Sequence, residues 1–231
     1  MTTTPTIGIL AGMGPHSTAP FLDLVIAECE RQYGAIHDID FPPIVIRSHP
    51  TPFYADRPID HAEMAAAVRE GLQKLARSGV DFAAIACNTA HVYFDELAAS
   101  IELPLLDMVQ ATIDRIPSRT RSLALVAARV TAEARIYQRR FLAAGFDVAE
   151  LDWQDDVDAL LLALRDRATA AEFLAKWSAV TKRAERAGVD AIVVACLDLS
   201  ATLHYAQTTV PMLDASRCLA HALVQEWLRR R

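Results

Sequence analysis

The chain has 231 residues, 52% of them hydrophobic, and a formal net charge of -6 with a pI near 5.6. This is enough apolar material for a sizeable core in one large or two small domains. The acidic balance argues against nucleic acid or anionic membranes as partners. No apolar run approaches the roughly 20 residues that span a bilayer, and the N-terminus does not resemble a signal peptide.

Strands alternate with helices along the whole chain, which predicts an α/β fold with mostly parallel sheets and right-handed crossovers. The first half is predicted to contain a strand at 6–11, a helix from Ser17 or Thr18 to about Tyr33, a strand at 41–47, a loop at 48–60, a helix at 61–77, a strand at 81–86, a helix at 91–100 and a strand at 103–106.

The second half is predicted to contain a strand at 122–128, a turn at 129–131, helices at 132–144, 155–165 and 170–187, a strand at 190–195 and a last helix at 215–230. The last helix is amphipathic, and we expect it to pack back on the first half. The first domain would then be discontinuous, residues 1–112 plus 215–231, with residues 113–214 as the second domain.

Two segments of the chain are approximate copies of each other. Residues 79–87 and 188–196 both begin Gly-Val-Asp, continue as an apolar run and end in a cysteine, Cys87 or Cys196. Ligands of parallel α/β sheets bind at the carboxyl ends of the strands, so each cysteine is expected at such an edge. Two halves placed face to face would put one thiol on each side of a shared cleft, which is the geometry that a two-base proton transfer needs.

Cys87 opens the polar block Cys-Asn-Thr-Ala-His, residues 87–91, directly after an apolar strand. A free cysteine is often a small buried hydrophobe, an interpretation that we favour for Cys29 and Cys218 inside their helices. This interpretation suits Cys87 poorly, because the carboxamide of Asn88 and the hydroxyl of Thr89 follow it at the strand end and can donate hydrogen bonds to a ligand. Together with the N–H groups of the next helix they can hold a carboxylate and lower the pKa of a nearby thiol.

Gly12-Met13-Gly14-Pro15 is a tight turn that leads into a helix and forms a second candidate anion site. A dinucleotide fingerprint would need a third glycine where Ser17 stands, so the nucleotide interpretation is weak. Asp56-Arg57 lies in the long loop, where Arg57 is either a clamp for a carboxylate or an ordinary solvated arginine. The four cysteines form no Cys-x-x-Cys pair, and the histidines have no zinc spacing, so we expect no metal and reduced thiols in the cytoplasm.

These motifs together resemble the cofactor-independent aspartate/glutamate racemase family, and within it the aspartate racemases. The glycine turn with Thr18, then Asp56-Arg57, then residues 87–91 match the family pattern in order and spacing, and the similarity runs from Thr6 to the last helix. The resemblance implies two pseudo-symmetric α/β domains with the active site in the cleft between them, no cofactor, a small acidic amino acid as substrate and a homodimer.

The resemblance also implies roles for individual residues. Cys87 and Cys196 would be the paired acid and base, and Arg57 would hold the side-chain carboxylate of the substrate. Further residues are expected around the substrate, namely Met13, Gly14, Thr18, Asn88, Thr89, Thr131, Leu197 and Asp198. His91 and Asp198 are expected to position the thiols or tune their proton affinity rather than to act as bases.

The chain departs from the family pattern mainly in its second half. Where the family resembles Gly-Cys-Thr-Glu, this chain has Ala-Cys-Leu-Asp at 195–198, and of a Thr-x-Gly-Thr turn only Thr131 remains, after Ala128 and Val130. A family lysine has no certain counterpart, although Arg165 or Arg167 stands near its place. In the loop after the second strand, Arg47-Ser48-His49 replaces an Asn-rich stretch. These departures bear on the identity of the substrate more than on the fold or the thiol pair.

We therefore expect an isomerase that interconverts L- and D-aspartate, with one cysteine as thiolate and the other as thiol. One alternative is a family member that acts on glutamate, on another carboxylic acid such as malonate or maleate, or on a hydantoin. Relatives that retain a single cysteine perform decarboxylation or isomerisation. A second alternative is a non-catalytic protein that binds dicarboxylates, against which the retention of Cys196 at its repeat position argues.

Overall fold

A computed structural model describes residues 4–54 and 57–231, and for Arg165 it describes the backbone alone. The chain divides into two compact units. One contains Met1–Met108 and Ser216–Arg231, and the other contains Val109–Ala215. The domains expected from the sequence, 1–112 plus 215–231 and 113–214, stay a prediction.

The first unit is built on a four-stranded sheet with the order β2-β1-β3-β4, in which every pair of neighbours is parallel. Its elements are β1 (Ile7–Ala11), α1 (Thr18–Tyr33), β2 (Ile44–Ser48), α2 (His61–Ala76), β3 (Phe82–Ile85), α3 (Phe94–Ala98), β4 (Leu105–Leu106) and, from the end of the chain, α10 (Ala215–Arg230).

The two central strands of this sheet, β1 and β3, are buried at every position, as their continuous apolar sequences predict. The amphipathic helix α2 places Val68 and Leu72 against the sheet residues Leu10 and Ile85. Asp60 begins the helix by accepting hydrogen bonds from the N–H groups of the first turn. The two buried strands β1 and β3 therefore end side by side at one edge of the sheet.

The last helix, α10, belongs to the first unit, as we expected of its amphipathic sequence. Trp227 is 1% exposed, and its indole N–H donates to the carbonyl of Pro5 at 3.0 Å. The Trp227 ring also packs against Tyr33 of α1, with 5.6 Å between ring centroids. These contacts join the two ends of the chain.

The second unit repeats the arrangement with a four-stranded sheet of order β6-β5-β7-β8, again with parallel neighbours. Its elements are α4 (Met108–Ile113), which begins at the last residue of the first unit, β5 (Ser122–Ala127), α5 (Arg129–Glu133), α6 (Ile136–Ala143), β6 (Asp147–Val148), α7 (Gln154–Arg165), α8 (Ala170–Ala187), β7 (Ala191–Ala195), α9 (Leu197–Ser200) and β8 (Met212–Asp214). The prediction of an α/β fold with two pseudo-symmetric parallel sheets is confirmed.

Several predicted bounds are wrong. The expected turn at 129–131 is the first turn of α5, and the single helix expected at 132–144 is two helices, because Arg135 between them has a φ of +54°. The strand expected at 41–47 begins at Ile44, since Pro42 and Pro43 lack the N–H that pairing needs. The helix expected at 91–100 is a 3-10 turn, Thr89–Tyr93, followed by α3.

Among the helices of residues 4–54 and 57–231, none is long and apolar enough to cross a membrane.

Candidate active site

Cys87 lies directly beyond the carboxyl end of β3. The strand is buried throughout and pairs with β1, and the Ala86 N–H extends this pairing by donating to the Leu10 carbonyl at 2.8 Å. Cys87 itself is half-buried, and the Asn88 side chain after it is 3% exposed. The 3-10 turn begins at Thr89, so the polar block starts where the sheet ends.

The glycine turn follows β1, the strand beside β3. Gly12 has a φ of +97°, and a Cβ there would lie 2.5 Å from the backbone N of His49. The His49 N–H donates to the Ala11 carbonyl at 2.9 Å, which presses the turn against the end of β2. Glycine is therefore required at position 12. The half-buried Met13 packs on the same apolar cluster as Cys87, so the turn and the first thiol lie at one edge of the sheet.

Thr18 is the first residue of α1, a helix of 16 residues that begins beside the glycine turn. Its Oγ1 atom is buried and has no hydrogen-bond partner within the described part of the chain. Buried hydroxyl groups in folded proteins are nearly always hydrogen-bonded. This hydroxyl is therefore a candidate partner for an oxygen atom of a bound ligand. The N-terminus of a helix also attracts negative charge.

Cys196 occupies the equivalent place in the second unit. It follows β7, which is buried throughout and pairs with β5, and it is 8% exposed. Cys196 is the N-cap of α9, and its carbonyl accepts hydrogen bonds from the N–H groups of Leu199 and Ser200 at 3.1 and 3.2 Å. Leu197 is 6% exposed and Asp198 is half-buried, so both begin the helix beside the second thiol.

Thr131 is fully buried in the first turn of α5, directly after β5. Its neighbour Arg129 points to α7, where its guanidinium contacts Asp155 at 2.8 Å and Asp158 at 2.5 Å. The hydrogen bonds that the Arg129 guanidinium donates to Asp155 and Asp158 raise the pKa of Arg129. Arg129 is thus already engaged by two carboxylates of its own unit.

Arg57 is exposed in the loop between β2 and α2, and its guanidinium lies 4.3 Å from the centroid of the Tyr54 ring. This cation–π contact holds the charge over an aromatic face. Asp56, the other residue of the predicted loop motif, lies outside the described residues, as does the side chain of Arg165. Arg167 is exposed just beyond α7.

His91 is buried at 4% exposure and stacks on Phe94, with 5.4 Å between ring centroids. The Met108 N–H donates to His91 Nε2 at 3.1 Å, so that nitrogen must carry a lone pair. The proton is then on Nδ1, which lies 2.8 Å from the Cys87 carbonyl and donates to it. Both ring nitrogens are used, which agrees with a positioning role and not with that of a base.

Cys29 and Cys218 lie inside α1 and α10 at 0% and 1% exposure. Burial raises the pKa of the Cys29 thiol, which keeps it protonated and unreactive. All four cysteines of the chain are free thiols.

The sequence analysis missed the polar pair formed by Ser200 and Asp214. The Ser200 hydroxyl lies 2.8 Å from Asp214 Oδ1 at the end of β8 and 3.3 Å from the Cys196 carbonyl. The internal repeat could have pointed to Ser200, because aligning Cys87 with Cys196 places Ser200 opposite His91.

Comparison with known proteins identifies the family of the chain. The family model described as Asp/Glu/Hydantoin racemase matches residues 10–223. The "Broad specificity amino-acid racemase RacX" of Bacillus subtilis (strain 168) is 43% identical over 223 residues, which cover 96% of this chain and 98% of that protein.

Two solved structures show the same fold. An aspartate racemase from Picrophilus torridus superposes with a TM-score of 0.79 at 22% identity, over 96% of this chain and 94% of its own. The glutamate racemase isoform RacE1 from Bacillus anthracis superposes with a TM-score of 0.71 at 14% identity, over 100% of this chain and 84% of its own. The chain therefore belongs to the Asp/Glu/hydantoin racemase family and is a cofactor-independent isomerase of that family.

Proposed function

We propose that the chain racemises α-amino acids, aspartate among them, by two-base proton transfer between Cys87 and Cys196. The observation that carries the proposal is the equivalence of the two thiols. Each follows the third strand in the order of a parallel four-stranded sheet, β3 in one unit and β7 in the other. A duplicated fold that retains a cysteine at both equivalent strand ends fits a reaction that needs one acid and one base.

In this mechanism one sulfur is a thiolate and removes the α-proton, which leaves a carbanion and a thiol. The second sulfur is a thiol and donates its proton to the opposite face of the same carbon, which leaves it as the thiolate. The substrate is inverted and the two cysteines have exchanged protonation states, so the next substrate of opposite hand finds the matching pair. General acid–base catalysis of this type contributes roughly 10²–10⁴-fold per group.

The carbanion needs hydrogen-bond donors at the substrate carboxylate, since no cofactor withdraws its electrons. The buried Thr18 hydroxyl at the start of α1 supports a place for one carboxylate oxygen beside the glycine turn. The remaining residues that we propose around the substrate are Met13, Gly14, Asn88, Thr89, Thr131, Leu197 and Asp198.

Aspartate as substrate depends on Arg57, whose guanidinium would form a bidentate pair with the side-chain carboxylate. A wider substrate range is the second candidate function, and two observations favour it. Leu197 is an apolar, buried residue next to Cys196, where the family pattern has a threonine. The relative at 43% identity is described as a racemase of broad specificity.

The experiment that tests the proposal follows the α-proton by NMR in deuterated water with each enantiomer of acidic, neutral and basic amino acids. We expect inversion with deuterium incorporation for the wild type, and a loss of racemisation by about 10³-fold or more in Cys87→Ser and in Cys196→Ser. Each single variant can retain exchange of one enantiomer without inversion. The matched controls Cys29→Ser and Cys218→Ser should racemise normally wherever they fold.

Near wild-type racemisation by either Cys87→Ser or Cys196→Ser would exclude the two-base mechanism. Exchange confined to another acid would move the assignment from aspartate to that acid. If no amino acid of the panel exchanged its α-proton, the result would favour a non-catalytic protein that binds dicarboxylates.

We also propose a homodimer in the cytoplasm. The family resemblance supports the dimer, as do Ile36 and Ile39, which are 78% and 89% exposed just beyond α1. The cytoplasm is a reducing compartment that suits four free thiols. Sedimentation equilibrium would measure the mass in solution, and a monomer at micromolar concentration would contradict the dimer.

A further inference from the structure

The two thiols of the proposed mechanism end each turnover with their protonation states exchanged. A second substrate molecule of the same hand can react only after one thiol has lost a proton to solvent and the other has gained one. Net conversion of one enantiomer therefore includes a step in which the free enzyme exchanges protons with water. A side chain that carries a proton between a thiol and the solvent would accelerate this step.

Tyr93 lies near Cys87 in the first unit. It is the last residue of the 3-10 turn Thr89–Tyr93, and its half-buried side chain packs on the same apolar cluster as Cys87 and Met13. Burial raises the pKa of Tyr93, and the charges of Cys87 and Asp60 raise the pKa further. The Tyr93 hydroxyl therefore stays protonated at neutral pH, and it is close enough to Cys87 for the charge of a thiolate to act on it.

The Tyr93 hydroxyl is joined to an exposed histidine. Its oxygen lies 2.7 Å from Nδ1 of His61, the first residue of α2, and the tautomer of the imidazole decides which group donates the hydrogen bond. The two rings meet edge to face, with 5.9 Å between their centroids. Asp60 caps α2 directly before His61, which fixes the backbone that carries the imidazole. Tyr93 thus connects the surroundings of Cys87 with a group that is exposed to solvent.

We propose that Tyr93 and His61 form a path by which Cys87 exchanges its proton with solvent between turnovers. In the releasing direction the S–H bond breaks and its proton passes to the Tyr93 hydroxyl oxygen, directly or through one water molecule. That hydroxyl gives its own proton to the lone pair on His61 Nδ1, and the resulting imidazolium loses a proton to water. Cys87 is left as a thiolate, Tyr93 is unchanged, and the reverse steps protonate the thiolate.

A histidine suits the exposed end of such a path, because an imidazole both accepts and releases protons near neutral pH. A tyrosine suits the half-buried part, because its hydroxyl accepts one proton while it donates another. The path needs no net change in the charge of Tyr93, which agrees with the raised pKa of this residue.

This inference rests on the proposed function, and kinetics can separate the exchange path from a role in the chemical step. Slower proton exchange of the free enzyme lowers kcat and KM together. It leaves kcat/KM unchanged, because kcat/KM does not include the return of the free enzyme to its starting protonation state. Loss of a group that acts on the transition state lowers kcat/KM instead. A small base in solution can replace a missing exchange path, but it cannot restore lost packing.

The test measures initial rates with one enantiomer of the best substrate in Tyr93→Phe and His61→Gln, with and without added imidazole. Phenylalanine keeps the ring in the apolar cluster and removes the hydroxyl. Glutamine removes the imidazole at an exposed position. The matched control is His204→Gln, which replaces another exposed histidine beside a tyrosine, with 3.9 Å between the ring centroids of His204 and Tyr205.

We expect kcat to fall by about tenfold in both variants, less than the roughly 10²-fold that a positioned proton-transfer group contributes, because water remains a slower route. KM should fall by a similar factor, so that kcat/KM is unchanged. Rising concentrations of imidazole should restore kcat towards the wild-type value. The control His204→Gln should have wild-type kinetics with and without imidazole.

An unchanged kcat in both variants of an active enzyme would overturn the exchange path and leave the proposed function intact. A fall in kcat/KM that imidazole does not restore would also overturn it, since that result would place Tyr93 in the chemical step or in packing. If Tyr93→Phe failed to fold, His61→Gln would decide between these outcomes. A wild type that racemised nothing would refute both the proposed function and the exchange path that serves it.

Discussion

At the scale of single residues, we expect Leu197 to bear most directly on the choice of substrate. It begins α9 beside Cys196 and is 6% exposed, while Leu199, two residues on, packs in the apolar core of the second unit. Where the family pattern has the hydroxyl of a threonine next to the second thiol, this chain has the apolar side chain of Leu197.

Leu197→Thr should raise kcat/KM for aspartate by up to about tenfold, because a hydroxyl donor to a charged carboxylate returns beside the thiol. Steady-state kinetics with aspartate, glutamate and one neutral amino acid checks this, with Leu197→Ala as the control that removes bulk without adding a donor. A decrease for both acidic substrates would exclude the aspartate assignment and leave the two-thiol mechanism intact.

Arg57→Ala should raise KM for aspartate and glutamate by roughly ten- to a hundredfold, since a charge-assisted bidentate pair is lost. A neutral amino acid should be affected little, and Arg57→Lys should recover only part of the loss because an ammonium cannot pair in the same bidentate way. Steady-state kinetics measures each value.

Unchanged kinetics in Arg57→Ala would show that Arg57 is not the clamp. Arg129 is then a weak replacement, because Asp155 and Asp158 already engage it. Arg47 is a stronger one, since its Nε is buried without a hydrogen-bond partner within the described part of the chain.

At the scale of elements, the two sheets share their strand order but differ in the segments that follow their strands. Both sheets have the same strand order, and in both a cysteine follows the third strand of that order. The segments after the first strands differ, because β1 leads into a glycine turn and a long helix whereas β5 leads into two short helices separated at Arg135. The first unit thus has a glycine turn after its first strand, and in the second unit the corresponding segment holds the buried Thr131.

At the scale of the whole molecule, Glu28 stabilises the contact between the two ends of the chain. Burial alone would raise the pKa of this carboxyl, but hydrogen bonds from Arg31, Gln32 and His221 outweigh burial and lower the pKa to about 2 from its ordinary 4.5. His221 lies on α10, 3.1 Å from Glu28 on α1. The charged carboxylate therefore helps to hold the last helix on the first unit.

A depressed carboxyl pKa gives stability that is present above about pH 4.5 and is lost as the pH falls towards 2. We expect the free energy of unfolding to decrease by on the order of 3 kcal/mol over this range through Glu28 alone. In Glu28→Gln this part of the pH dependence should be absent, whereas the exposed control Glu133→Gln should retain it. Urea unfolding at several pH values measures the difference, and identical curves for wild type and Glu28→Gln would contradict the assignment.

The sequence by itself predicted the repeated architecture, and it indicated the strand ends at which we expect the chemistry. Apolar runs and helical periodicity are local properties, so they predicted the α/β class and the central strands β1, β3, β5 and β7 to within a few residues. The Gly-Val-Asp repeats identified Cys87 and Cys196 as equivalent, and the polar residues at 88–91 marked the first strand end as a site.

Only the tertiary structure decided which partners those residues have. The Met108 N–H donates to His91 Nε2, and the Arg129 guanidinium contacts Asp155 and Asp158. These bonds join residues that are 17 to 29 positions apart in the sequence, and no local pattern encodes their pairing. The sequence does not reveal the break between helices at Arg135 either, because the helical periodicity continues across this residue of positive φ. Local propensity determines the elements, whereas contacts between distant parts of the chain determine which side chains are held, because those contacts form only when the elements pack together.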